Sequence, residues 1–342
     1  MSETNNIIVY ADKQDIVNIA DAIRSKTGST SEMSLDGMVN NVNSLCGYDK
    51  EDALIAKTLT EYSNNRVSTI GSYAFAGCDN LTNVDFQKAT TIGSSAFAQC
   101  SNLTTIQFPS VTNIGSNAFY SCYKLTEADF PKTTSIGFSA FAYCSNLTTA
   151  NFPALTSVGS GAFRVCSNLT TLSFPAATTI GPFAFGLCDN LSAVNFPKVT
   201  TIDSCAFITC PNLATVSFPK ATTIGSSTFS NCVSLTSISF PVAYAIGSYA
   251  FSGCNSLATA SFPKASTIAS YAFRYCYNLT KLYLTGSSIC QLGNSNAFSS
   301  TPIGGYSTSA GTYGSIYVPT SLLTSYKAAT NWTYFSSRFV GV

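Results

Sequence analysis

The sequence predicts a β-rich solenoid of stacked turns, and two observations predict it. Ten cysteines (Cys78, Cys100, Cys122, Cys144, Cys166, Cys188, Cys210, Cys232, Cys254 and Cys276) stand 22 residues apart. Around each, apolar residues recur at fixed offsets, as in Leu103, Ile106, Phe108, Ile114, Ala118, Phe119 and Cys122. Only 10% of the 342 residues are charged, so Ser, Thr and Asn supply most of the polarity. A turn of this length cannot bury its own apolar side; successive turns must stack and share one continuous core. Such an array grows by addition, and a long chain need not divide into compact domains.

Residues 1–47 differ in kind from the repeats. Ile16, Ile19, Ala20 and Ile23 recur at helical spacing, as do Leu35, Met38, Val39, Val42 and Leu45, with Lys26–Thr30 as a turn between them. Two short helices are predicted, and their apolar stripes are too large for an isolated hairpin to hide. Residues 12–45 are therefore expected to pack on the first turn or on other copies of the chain, making a homo-oligomer. Residues 48–66 read as a linker and N-terminal cap, with Ala53–Leu59 as a candidate capping strand. Met1–Asp12 shows no basic stretch followed by an apolar one, so no signal peptide is expected.

Ten turns follow over residues 67–289. In Leu103–Phe108 the alternation predicts a strand with Ile106 and Phe108 inward and Thr105 and Gln107 outward. A proline ends this strand in eight turns, Pro109 through Pro263, since it cannot donate to a ladder. Thr112–Gly115 predicts a second extended piece and a tight corner. The Ser-x-Ala-Phe-x-x-Cys stretch reads as a short helical turn that brings Phe and Cys into the core. Asn precedes the strand leucine in seven turns (Asn80, Asn102, Asn146, Asn168, Asn190, Asn212, Asn278), where bonding to local backbone is expected. Residues 290–342 are left for a C-terminal cap.

The cysteine ladder is expected to be reduced. Parallel in-register side chains about 4.8 Å apart do not give disulfide crossing geometry, and free Cys packs as a small hydrophobe. Cys46, Cys205 and Cys290 lie off the ladder. With no histidine and no paired C-x-x-C, metal sites and Ser-His-Asp or Cys-His catalysis are not predicted, and no cofactor is expected. Glu127 and Asp129, with Asp85 in the latter's column, could be posed as a glycosidase pair. A flat solenoid face offers no pocket to raise one pKa, so the chain is read as no enzyme.

Charge is uneven along the chain. Residues 1–61 hold ten acids and five bases, residues 62–203 six of each, and residues 204–342 six bases and no acid. No dense basic stripe suits nucleic acid, and no apolar run is long enough to span a bilayer.

The pattern I-G-x-x-A-F-x-x-C-x-x-L-x-x-I-x-F-P over residues 67–284 resembles the BspA-like class of leucine-rich repeat. That resemblance implies a recognition scaffold of the kind used by bacterial adhesins and phage proteins, and no catalysis. Ser315–Trp332 is similar to the cap that follows such arrays, implying a last strand and then a helix with Thr320 or Ser321 as N-cap. Ala20–Gly28 and Met33–Met38 resemble an N-terminal segment of phage and prophage tail or fibre proteins. The expected role is thus a virion-surface protein that meets a host surface protein or anionic glycan and joins other virion proteins through residues 12–45. A bacterial surface adhesin and a structural virion decoration are the alternatives.

Binding is expected where the turns vary. Two residues between Phe and Cys, and those before Ala-Phe, change from turn to turn while the core positions do not. Arg and aromatic residues are enriched at interfaces. The candidate site is Phe183, Leu187, Ile208, Tyr249, Tyr271, Arg274 and Tyr275. The outward strand columns, Thr105/Gln107 through Ser237/Ser239, are small and polar, suited to glycans or to solubility.

Overall fold

The computed structural model describes residues 60–306 and 313–342. The predicted helices within 1–47 and the capping strand at Ala53–Leu59 lie outside the described residues. Each turn contributes two short strands. The first has three residues, as Thr105–Gln107, with the central side chain turned to the core; the second has two, as Asn113–Ile114. Two-residue strands make one 11-stranded sheet, Thr69–Ile70 to Gln291–Leu292, and the three-residue strands form a second file broken into sheets of three, three, two and five. All pairings are parallel, and within the repeats they are offset by one turn, so Ile92 lies beside Ile114 and Ile180 beside Ile202.

This register puts every buried side chain against its own equivalents. The Ala-Phe phenylalanines stack face to face, as Phe97 on Phe119 at 5.2 Å and Phe207 on Phe229 at 5.4 Å. The Phe-Pro phenylalanines make a second stack, as Phe152 on Phe174 at 5.5 Å. Edge contacts such as Phe152–Phe163 at 5.6 Å and 67° join the two. Offset and edge geometries suit the ring quadrupoles, each pair adding about 0.5–1.5 kcal/mol beyond area burial.

The third side of each turn corrects the sequence reading. Ser-x-Ala-Phe-x-x-Cys is no helix. It is a chain of tight turns in which alternate N–H groups reach the next repeat: Ser95 to Ser116 O, Phe97 to Ala118 O and Gln99 to Tyr120 O, at 2.7–2.8 Å. The remaining N–H groups bond three residues back, as Cys100 to Phe97 O at 3.3 Å. Where a helix would leave neighbouring turns unbonded here, this arrangement makes a ladder without strands.

The ladder thiols are donors in it. Cys122 Sγ–H donates to Phe97 O at 3.1 Å, and the same bond recurs from Cys100–Phe75 to Cys276–Phe251. Burial pushes the Cys100, Cys144 and Cys210 thiols up to about 12, which keeps them protonated as donors. Nine of the ten ladder cysteines are free as expected; Cys78 is the exception and is disulfide-bonded, with a partner outside the described residues. It occupies the first rung of the ladder. Off the ladder, Cys290 is buried and Cys205 is half-buried.

Hydroxyls and amides repeat the inter-turn theme. Thr112 Oγ1 donates to Thr90 O at 3.2 Å and Thr222 Oγ1 to Thr200 O at 3.1 Å, each hydroxyl bonding a carbonyl one turn back. The regular asparagines likewise bond across turns rather than locally: Asn102 Nδ2 donates to Asp79 O at 2.6 Å and Asn190 Nδ2 to Asn168 Oδ1 at 3.0 Å. Corner glycines are required by proximity. A Cβ on Gly115 would meet Gly93 C and Ser94 N at 2.6 Å.

At the C-terminal end, Gln291–Leu292 and the 3₁₀ turn Ser295–Phe298 continue the pattern, with Phe298 stacked on Phe273 at 5.5 Å. Ser315–Val318 then pairs with Lys281–Tyr283, and a final strand, Phe339–Gly341, pairs beside it. The predicted helix is present at Leu323–Ala328, preceded by a 3₁₀ turn, Thr320–Leu322. Neither Thr320 nor Ser321 is its N-cap. No side chain caps the start, because the last strand brings Val342 O within 3.4 Å of Thr320 Oγ1, which donates to it. Buried Trp332 and Tyr326 close the core: Trp332 Nε1 donates to Cys290 O at 2.7 Å and Tyr326 OH accepts from Cys290 N at 2.9 Å.

Two predictions follow from this packing. In the native protein at neutral pH, thiol reagent followed by peptide mapping should label Cys205 before any of the nine free ladder cysteines; early labelling of a mid-array cysteine such as Cys166 would refute the donor ladder. Trp332→Ala should cost about 3–5 kcal/mol in urea unfolding, and Trp332→Phe less, since the ring remains.

Candidate functional site

The variable positions have a common backbone origin. In every turn from Cys78 to Cys276, the residues five and one before the cysteine have positive φ, between 51° and 75°. Their N–H groups are the forward donors just described, so the left-handed conformation is what aims them at the next turn. Glycine would suit these places, with Asn next, because a Cβ is crowded there. Gly77, Gly161 and Gly253 are the only glycines among them. Elsewhere stand Tyr73 (62°), Tyr143 (64°), Val165 (61°), Phe183 (56°), Leu187 (61°), Tyr249 (58°), Tyr271 (61°) and Tyr275 (62°). Large side chains that the local backbone disfavours here form a ridge along the solenoid.

The structure brings four of the predicted site residues together. Tyr249 and Tyr271 stack at 4.9 Å; the Arg274 guanidinium lies 5.4 Å from the Tyr271 ring centre and 4.3 Å from that of Tyr275. Arg274 Nη2 donates to Tyr275 OH, and Asn296 Nδ2 donates to Tyr271 OH at 3.3 Å. Tyr249 and Tyr275 are exposed, Tyr271 and Arg274 half-buried. Phe183, Leu187 and Ile208 stand apart from this cluster. Phe183 is exposed under the Arg164 guanidinium, 5.6 Å from its ring centre, while Leu187 and Ile208 are half-buried, Ile208 filling the space left by Gly186. Phe138, exposed, sits one place earlier in its turn and off the left-handed column.

Three participants were outside the predicted set. Tyr277 lies 6.0 Å from Tyr275, and Tyr306 5.9 Å from Tyr277, extending the cluster with two exposed rings. Tyr277 occupies the place after the cysteine, which the variation between Phe and Cys did not flag; Tyr306 lies beyond the repeats. Arg164 stood among the variable residues without a partner to single it out.

On the strand face the acids join amide ladders. Asp129 Oδ1 accepts from Asn151 Nδ2 at 2.8 Å, and Asp85 Oδ1 from Gln87 Nε2 at 2.6 Å. Glu127 and Asp129 are both exposed on one strand. Among the described residues no group of three or more His, Cys, Asp or Glu is placed to hold a metal ion, and no helix is long and apolar enough to cross a membrane.

The BspA type leucine rich repeat region, in six copies, matches residues 68–179 and 178–304. No curated protein matches the sequence. Similar solved structures include a leucine rich cell surface protein from Faecalibacterium prausnitzii A2-165, 24% identical, covering 68% of this chain and 88% of that one with a TM-score of 0.34. A leucine-rich repeat protein from Bacteroides ovatus ATCC 8483 is 21% identical over 82% of this chain and 92% of its own, TM-score 0.40. One from Eubacterium ventriosum ATCC 27560 is 21% identical over 72% and 84%, TM-score 0.44.

The left-handed columns make a stability prediction. Val165, β-branched at φ 61°, is the most disfavoured type at such a position. Val165→Asn should therefore raise stability by about 1 kcal/mol in denaturant unfolding; an equal loss would mean that packing by the valine outweighs its backbone strain.

Proposed function

The chain belongs to the BspA-type leucine-rich repeat family, and on that premise we propose that it is a non-enzymatic recognition protein whose variable ridge binds a surface ligand. One observation carries this reading: residue types that the local backbone disfavours are held along one ridge, with Tyr73, Phe183, Tyr249 and Tyr275 exposed and the others half-buried, while the core beneath them hardly varies. Aromatic and Arg side chains anchor interfaces because they desolvate large areas at small entropy cost. The all-basic half of the chain, residues 204–342, favours an anionic cell surface or glycan over a basic partner.

In its finer form the proposal makes the protein a phage tail or fibre component at the virion surface, joined to other virion proteins through residues 12–45 and meeting the host with the solenoid. Support for this comes from the resemblance of Ala20–Gly28 and Met33–Met38 alone. Family membership equally supports a bacterial cell-surface adhesin, and the two differ in their neighbouring genes.

Replacing Tyr249, Tyr271, Arg274 and Tyr275 together with alanine should cost less than about 2 kcal/mol of stability, as none is fully buried. Attachment to host cells should fall at least tenfold, and attachment by the unmutated protein should weaken as salt rises. Undiminished attachment by that variant, with loss on altering the Thr215/Ser217 strand face, would place binding on the other side.

A further inference from the structure

We propose that the ridge carries two anion sites in one repeat column, built on Arg164 and Arg274, which together hold one linear acidic polysaccharide laid along the solenoid axis. This rests on the recognition reading above and names its ligand. Arg164 stands two residues before Cys166 and Arg274 two before Cys276, so both occupy one column of the repeat, five turns apart. At the spacing of parallel strands that is about 24 Å along the axis. No other turn has a cation in this column.

Each guanidinium rests on an aromatic ring of a left-handed position: Arg164 on Phe183, Arg274 on Tyr271 and Tyr275. Arg274 has no acid anywhere in residues 204–342, while the turn after Arg164 carries Asp189 directly after Cys188. The three variable columns hold no Asp or Glu in any of the ten turns. Arg164 Nε is buried without a hydrogen-bond partner among the described residues, an uncommon condition for a charged group. A ridge composed for solubility alone would carry acids as well as bases. What this ridge presents is a pair of planar guanidinium forks, that of Arg274 with one Nη given to Tyr275 OH, and a carboxylate meets such a fork with two parallel bonds.

The rest of the ridge suits sugars. Phe183 and Tyr249 are exposed, and their column neighbours Cys205 and Ser227 are small. An exposed ring beside a small neighbour can take the C–H face of a pyranose. Between the two cations the columns carry Thr209, Ser227, Ser230 and Asn231, donors and acceptors matched to ring hydroxyls rather than to the apolar centre of a protein interface. Two sites in line on a rigid scaffold make the second contact intramolecular, so a polymer gains avidity that a single sugar acid cannot.

The test is binding of the full chain to immobilised polygalacturonate, with long-chain polyphosphate, neutral dextran and monomeric galacturonate as comparators. We expect polygalacturonate to bind and dextran not to, with monomer competing only at far higher concentration. Arg164→Gln and Arg274→Gln should each weaken binding at least tenfold, the double variant should fall to the dextran level, and Arg338→Gln, off the ridge, should change nothing. Should Arg164→Gln fail to fold, Arg164→Lys, which keeps the charge and loses the fork, must still weaken binding. Retention of polygalacturonate by the double variant would overturn the two sites, and Arg-dependent binding of polyphosphate alone would overturn the glycan assignment. If no polymer binds while the four-residue ridge variant loses host attachment, the ligand is wrong and the recognition reading stands; loss of neither overturns both.

Discussion

Every layer of this molecule depends on equivalence between a residue and its copy one turn away. A phenylalanine stacked on another at about the spacing of parallel strands works only if the backbones repeat without slippage, and the hydrogen bonds enforce that repeat on all sides of the turn. Strand N–H groups hold two sides. On the third, the thiol of each free ladder cysteine and alternate amides do so. A one-residue insertion would break these files together, which explains why the cysteine spacing is strict from Cys78 to Cys276. After Phe273 the interval lengthens to Phe298, and there a 3₁₀ turn replaces the first left-handed residue, Ser300 at φ 59° keeps the second, and the aromatic cap takes over.

The cysteines show how one residue type can satisfy two demands. The position is fully buried and narrow, which favours a small apolar side chain, yet the Phe carbonyl of the previous turn has a second lone pair facing it. A thiol is a weak donor that tolerates an apolar setting. Alanine would fill the space poorly and leave the carbonyl with one bond; serine would carry a stronger desolvation penalty. Thr228 answers a similar demand in the Ala column, its hydroxyl donating to Gly225 O at 2.8 Å.

Much of the fold was legible in the sequence because periodicity reports burial directly: Ile106, Phe108 and Ile114 sit inward where alternation placed them, or nearly so, and the register follows from the repeat length. The third side was not legible. Spacing of Phe119 and Cys122 fits a helix, and the usual signature of left-handed backbone, glycine or asparagine, is sparse where Tyr, Phe, Leu and Val fill those columns. The cap's helix was implied by the resemblance of Ser315–Trp332 to such caps, but not its start, since the strand that captures Thr320 lies twenty residues later and has no repeat to announce it. Within the candidate site, Tyr249, Tyr271, Arg274 and Tyr275 were recognisable as variable residues; their mutual contact, and the part played by Tyr277 and Tyr306, required the chain's path in space.

The near-identity of successive turns has a consequence at the level of the gene. Stretches that encode interchangeable units can recombine with one another, adding or removing whole turns while preserving every file of the core. Such an exchange leaves the remaining columns aligned but moves Arg164 and Arg274 nearer or farther by integral steps. The distance between the two cations is thus heritable in discrete increments, separate from the identity of any side chain, and selection can act on the length of a ruler without altering its marks.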